Sequence, residues 1–364
     1  MMTSTKAGTG TPMTDQNPDN AAPTAVTEAP EPTTTGLEIP GAAEPGAERA
    51  RWNQVRSLLV RAVGIGLFLA IVIVYFTVST STFFTLSNWS DVLSGIAVLG
   101  VVAIGQTLVI VSGGFDLSVA GVLPLACVVF VKFSNGGQSL TVALLETIGI
   151  GAAVGIVNAI LVAKAGINPL ITTLATMSVT TGLAYTLADG TTIALQNPGN
   201  GDLANLAVGS LPWYFFLFLL IALAFGLVMR FTVFGRAVYA VGGSREASVL
   251  AGIRTDLVAT AVYGISGALA ALAGVVTASQ IFAGSAGVGS DTALMSVAAV
   301  VLGGAALSGG SGGIVGTVGG VLVLGCLSNG LALMHVQSFY VQVVTGIALL
   351  IAVLFSRLNQ VLTR

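Results

Sequence analysis

From Val55 onward the sequence reads as ten successive apolar stretches of ~18–25 residues, the length a helix needs to cross roughly 30 Å of hydrocarbon. They cover approximately 57–78, 92–112, 117–134, 141–164, 168–188, 212–230, 257–280, 291–308, 314–333 and 337–356. A backbone in lipid must satisfy its own polar groups, and a helix does so internally. The expected fold is therefore an all-α integral membrane protein with about ten transmembrane helices. Only a few residues join the second stretch to the third and the eighth to the ninth, so a broken helix at either junction would change the count.

Composition agrees. Charged residues make up 8% of the chain, hydrophobic residues 54%, and mean hydropathy is +0.94. A soluble domain carries about a quarter charged residues, so this chain cannot cover a water-facing surface of ordinary polarity. The 47 glycines suit helices that approach each other closely in a membrane. Cys127 and Cys326 sit in apolar runs with no CxxC or Cys/His cluster, and read as small buried hydrophobes. No basic patch interleaved with aromatics supports nucleic-acid binding.

Charge is unevenly placed. Residues 1–48 hold seven acids against Lys6, a net of −6, while residues 49–364 carry +4. The first 48 residues also contain seven of the eleven prolines. Such a segment cannot bury enough surface to offset its ordering entropy, so a disordered, acidic, Pro/Thr-rich cytoplasmic tail is expected at 1–48, followed by a membrane domain at 49–364. With both termini cytoplasmic, eleven of the twelve basic residues after position 48 fall inside and only Lys132 falls outside. The longest outer loop then runs from Asp189 to Leu211.

Internal similarity is weak. Val111-Ser-Gly-Gly-Phe-Asp-Leu-Ser118 resembles Val301-Leu-Gly-Gly-Ala-Ala-Leu-Ser308, and the glycine-rich run from Gly151 resembles that from Gly316. The two matches imply different symmetry axes. The second fits the inverted repeat common among transporters and is preferred.

Catalytic chemistry finds no footing. There is no Gly-Lys dipeptide, hence no Walker A loop, and the single histidine, His335, cannot complete a triad. Ion-coupled transport normally needs intramembrane acids, and the spans are nearly free of them. Two readings stand for Asp116: it lines a path, or it caps the third span. Neutral polar side chains within or at the ends of spans, among them Gln106, Asn168, Thr172, Thr173, Thr176 and Tyr185, suit an uncharged, hydroxyl-rich solute; helix–helix hydrogen bonding accounts for them equally well. The spacing of Gly312, Gly316 and Gly320 predicts one packing face.

One long polar interruption breaks the second half, at residues 231–256, and with Arg230 it holds four of the thirteen basic residues. Within it, Ser244 predicts an N-cap, a short helix follows with Ala247, Leu250 and Ala251 on one face, and Gly252 ends it. A helix so short lies across the mouth of the protein, either as a surface connector or as a handle for a soluble partner.

Four motifs, VSGGFDLSVAG, INPLITTLATMSVTTGLAY, RAVYAVGGSREASVLAGIRTDLV and VYGISGALAALAGVVTASQ, together resemble the permease subunit of ribose-type ABC importers, a family related to branched-chain amino acid permeases. The resemblance covers roughly residues 57–356. It implies an inverted-repeat permease that catalyses nothing itself and binds no cofactor, ATP being used by a partner ATPase subunit. It also implies an extracytoplasmic binding protein that delivers a monosaccharide, and a second permease chain, identical or not, to complete the pathway. Arg236, Ser244, Arg245, Glu246, Ala247 and Gly252 would then contact the ATPase. Gly113, Gly114, Asp116, Leu117 and Ser118 match a family junction motif of unassigned role. Ser244 stands where the family usually has Asn, which keeps the capping chemistry. Alternatives are a nucleoside or branched-chain amino acid permease of the same class, or a self-sufficient secondary transporter.

Overall fold

A computed structural model of the chain describes residues 63–201, 207–208 and 211–337, with 340, 342–344, 346–347 and 350. The chain divides into two units, Met1–Trp52 and Asn53–Arg364, and every described residue belongs to the second. The expected tail at 1–48, and most of the expected tenth span at 337–356, lie outside the described residues.

Each of the other nine apolar stretches falls on a helix. These are α1 (Val63–Ser79), α2 (Leu86–Val111), α3 (Val119–Asn135), α4 (Leu140–Ala159, continued by a π-helical turn Ile160–Lys164), α5 (Pro169–Leu187) and α6 (Trp213–Phe231). After the connecting segment come α9 (Thr255–Ile281), α10 (Thr292–Leu302) and α11 (Ile314–Leu333). Among the described residues six helices are long and apolar enough to cross a bilayer: α2, α4 with its π turn, α5, α6, α9 and α11.

Two expectations need correction. The eighth stretch, 291–308, is not one span: α10 has 11 residues, about 16 Å of helix. Beyond it Gly304, Gly309, Gly310 and Gly312 all take positive φ, which no continuous helix allows. Hydropathy reads through Ala305-Ala306-Leu307 and misses the break. Gly312 consequently lies before α11, and only Gly316 and Gly320 share its packing face, against Gly303 and Ala299 of the α10 end. The segment 231–256 also holds more helix than expected. Besides the short helix α8 (Arg245–Leu250) it contains α7 (Val233–Gly243), opened by Thr232, whose Oγ1 accepts from Gly235 N at 3.2 Å.

The core is the crossing of α2 with α9. Their apolar windows are 78% and 72% buried, against 22% and 17% for α5 and α6. At the crossing, a Cβ on Gly105 would sit 3.0 Å from Ser266 Cα, so the backbones meet almost directly. Close approach gains dispersion contacts, which drive helix association where lipid removes the hydrophobic contrast. Around this pair the neighbours match: α9 packs on α3 and α4, α2 packs on α10 and α11, α3 packs on α4, and α10 packs on α11. Small residues seat these pairs, Gly151 and Gly155 against Gly267 and Tyr263, and Gly274 against Leu123. Polar pairs add lateral bonds between α2 and α11. Thr107 meets Thr317 at 2.7 Å, and the Asn88 and Asn329 amides exchange bonds of 3.0 and 2.9 Å. Cys127 and Cys326 are both buried free thiols.

Opposite the connecting segment, a small cap covers α3. Strand Ile193–Ala194 pairs antiparallel with Ala283–Gly284, and Asn135 Nδ2 donates to Ala194 O at 2.9 Å.

Candidate functional site

The connecting segment presents its short helix outward. Ser244 caps α8 as the sequence implies, its Oγ accepting from Ala247 N at 3.2 Å, and Gly252 closes the turn at φ +79°. Glu246 sits in the first turn of α8, where its charge favours the positive end of the helix dipole. The face carrying Ala247, Leu250 and Ala251 does not fold back onto the protein. Leu250 is 90% exposed, and Ser248 is the residue that turns inward. A leucine so exposed, on a helix too short to span the bilayer, takes no part in the core.

Arg245 anchors this helix from behind. Its guanidinium donates to Asp256 Oδ1 at 2.8 Å and to Ala163 O at 3.4 Å, tying α8 to the start of α9 and to the π turn that follows α4. Both partners of the ion pair are about half exposed, so the bridge sets orientation and adds little stability. Arg236 and Arg254 flank an open, mostly apolar groove between α7 and α9 lined by Val233, Phe234, Ala237, Ile253 and Leu257. Tyr239 on α7 donates its hydroxyl to Gly312 O at 2.9 Å. Burial pushes its phenol above the ordinary value, so it remains a donor at neutral pH.

The junction after α2 is the second element. Gly113 takes φ +82°, and the chain turns through Gly114 and Phe115 into α3. Asp116 is fully buried there. One carboxylate oxygen accepts from Ser118 N at 3.0 Å and Ser118 Oγ at 2.5 Å, and the other accepts from Ser266 Oγ at 2.7 Å. Asp116 thus does not cap α3 in the usual sense: Ser118 is the N-cap residue, and no side chain satisfies the first turn. Neither does it face an open path; it fastens the junction to α9. Tyr263, one turn earlier on α9, completes the clamp by donating to Phe115 O at 3.1 Å and accepting from Phe115 N at 3.3 Å. From Ser118 the bonds continue. Asn158 Nδ2 donates to Ser118 Oγ at 2.9 Å, and Thr176 Oγ1 donates to Asn158 Oδ1 at 2.6 Å. One buried polar chain therefore joins α9, the junction, α4 and α5. Leu117 packs against the main core beside it.

The polar residues picked out in and beside the spans separate. Thr176 belongs to this chain of bonds, while Thr173 is fully buried and bonds its own helix at Pro169 O. Asn168 is exposed and caps α5, accepting from Leu170 N at 2.9 Å, so it is an end-of-helix residue. Tyr185 is exposed near the other end of α5. Gln106 and Thr172 are buried, and the Gln106 amide and Thr172 hydroxyl lack a protein partner among the described residues. Sequence reasoning does not pick out Tyr263, Ser266 or Tyr239. Each lies in a mostly small-residue or apolar stretch of its helix, with a partner far away in the chain, and no local pattern marks it.

Residues 88–354 match the family described as the branched-chain amino acid transport system permease component. The chain belongs to that family. Among curated proteins it is 37% identical over 300 residues to the ribose import permease protein RbsC of Bacillus subtilis (strain 168), covering 80% of this chain and 91% of the relative. It is 34% identical over 298 residues to the ribose import permease protein RbsC of Escherichia coli (strain K12), covering 80% and 93%. With the L-arabinose transport system permease protein AraH of Escherichia coli (strain K12) it shares 36% identity over 309 residues, covering 85% and 92%. No solved structure matches the chain. As a member of this permease family with six helices of spanning length among the described residues, it is a multi-pass membrane protein that transports rather than catalyses.

Proposed function

We propose that this chain is the membrane-spanning permease of an ATP-driven importer for a monosaccharide of the pentose or hexose class, or a related polyol. A partner ATPase grips α8 from the cytoplasm, and a separate binding protein delivers the sugar on the other side. The observation that carries this reading is the outward apolar face of α8, capped by Ser244 and held by Arg245, in a chain whose relatives over 80–85% of its length bear ribose and arabinose permease names. Arg236, Ser244, Arg245, Glu246, Ala247 and Gly252 form the coupling face. The matched pairings of α2, α3 and α4 with α9, α10 and α11 support an inverted repeat about the α2–α9 crossing. That symmetry agrees with the Gly151–Gly316 similarity and not with the Val111–Val301 one, since it pairs α4 with α11. Ten spans with both termini cytoplasmic, and a second permease chain completing the pathway, belong to the same reading, as does an unstructured tail at 1–48.

The mechanism is alternating access: ATP binding moves the ATPase against α8, and the repeats rock about the crossing. The neutral hydroxyl and amide side chains of α5 and α2 suit a solute that is hydrogen-bonded weakly and released. Labelled pentose uptake into proteoliposomes holding permease, ATPase and binding protein tests the solute class. Competition by ribose, arabinose or another free sugar supports the reading, whereas competition by leucine or adenosine alone refutes it.

A further inference from the structure

Three glycine-bearing segments from distant parts of the chain meet backbone to backbone. Gly242, the penultimate residue of α7, faces the end of α2. A Cβ there would overlap Val111 O and come 2.7 Å from Gly310 N. That same Val111 carbonyl already accepts from Gly310 N at 2.9 Å. Gly309, at φ +85°, would place a Cβ 2.7 Å from Gly242 O and 2.8 Å from Gly113 Cα. Gly310, at φ +72°, would place one 3.0 Å from Gly243 Cα. The connecting segment therefore touches, at one point, both broken-helix junctions: 112–118 after α2 and 303–313 after α10. One turn back along α7, the Tyr239 hydroxyl holds the second junction at Gly312 O. On its far side the first junction is fixed to α9 through Tyr263 and Ser266.

A contact made of backbone alone has no rotamers to absorb a shift. Close-packed elements pass displacement on or jump between discrete arrangements. We propose that Gly242, seated between Gly113 and Gly309–Gly310, is the joint through which a displacement of α7 and α8 moves both junctions together, making it a positioning residue for transport. The proposal rests on α8 being the element a partner ATPase moves.

Gly243 supplies the control. It is the next residue of the same helix end, yet a Cβ there would meet nothing within 4 Å. Gly242→Ala and Gly243→Ala are therefore compared in the whole importer, reading three quantities: permease in the membrane, ATPase co-purified with it, and solute delivered per ATP hydrolysed. Gly242→Ala is expected to retain its ATPase but to deliver roughly tenfold less solute per ATP, while Gly243→Ala stays within about twofold of the parent. Equal behaviour of the two variants overturns the proposal. If Gly242→Ala does not reach the membrane, Tyr239→Phe decides, since it removes one hydroxyl and no packing. A delivery ratio lowered by about threefold or more supports the joint, and an unchanged ratio overturns it. A parent protein that binds no ATPase would instead refute the coupling reading itself, and this proposal with it.

Discussion

Ser266 on α9 donates to the buried Asp116 carboxylate at 2.7 Å, although 150 positions separate the two residues in the chain. This bond, with those of Ser118, is what lets an acidic residue sit at zero exposure inside a membrane protein. A buried charge or carboxyl with too few partners is costly, whereas one with its lone pairs occupied holds neighbouring segments in a single arrangement.

Removing the partner should therefore be felt as stability. Ser266→Ala is expected to lower the unfolding free energy by ~1–3 kcal/mol, because the carboxylate oxygen is left buried and unpaired. Thermal unfolding in detergent reads this. Ser178→Ala is the comparison: that hydroxyl is exposed and bonds its own helix at Leu174 O, so its loss should cost less than about 0.5 kcal/mol. Asp116→Asn, which keeps an acceptor for Ser118, should be milder than Asp116→Leu.

Arg245 separates orientation from stability. Its ion pair with Asp256 is half exposed, so Arg245→Ala should change stability by less than ~1 kcal/mol. Arg245→Glu places a like charge beside Asp256, and Glu246→Arg reverses charge on the coupling face. Both are expected to leave the protein in the membrane while abolishing stimulation of ATP hydrolysis by loaded binding protein. Stimulation that survives both changes would show that α8 is not the coupling element.

The cap of α8 can be tested by rescue. Ser244→Ala removes the acceptor for Ala247 N and should cost that short helix ~1 kcal/mol, seen as faster hydrogen exchange across residues 245–250 and reduced transport. Ser244→Asn restores a side-chain oxygen at the same position and should return both to parent values. If Asn behaves as Ala does, capping is not what Ser244 contributes.

How far these features are legible in the sequence follows from their range. Spans are local: a run such as Ile314–Leu333 announces its own length and apolarity, and its expected and observed limits coincide. The cap at Ser244 and stop at Gly252 are local too, and both are readable. The break after Leu302 is not, because hydropathy averages across the glycines that force it. Helix α7 is hidden for a related reason: Arg236 and three glycines in its sequence resemble a loop, while Val238 and Val241 are buried in the main core only once distant segments have come together. Asp116 stands out in the sequence as unusual, but its role depends on Ser266 and Tyr263, and no spacing rule links residues so far apart. Asn168 shows the reverse case: its cap of α5 is local, with Oδ1 accepting from Leu170 N two residues on, and the residues Asn168-Pro169 announce it.

The acidic tail offers a separate check. On the proposal that residues 1–48 form an unstructured tail, deleting them is expected to leave uptake within about twofold of the full chain. Loss of uptake with normal membrane abundance would assign the tail an active part.

The most direct measurement is the energy source of uptake. Purified permease in proteoliposomes, alone under a proton or sodium gradient, is compared with the same protein joined by its ATPase, its binding protein and ATP. The account predicts no accumulation in the first case and ATP-dependent sugar accumulation in the second. Gradient-driven accumulation by the lone chain would contradict it.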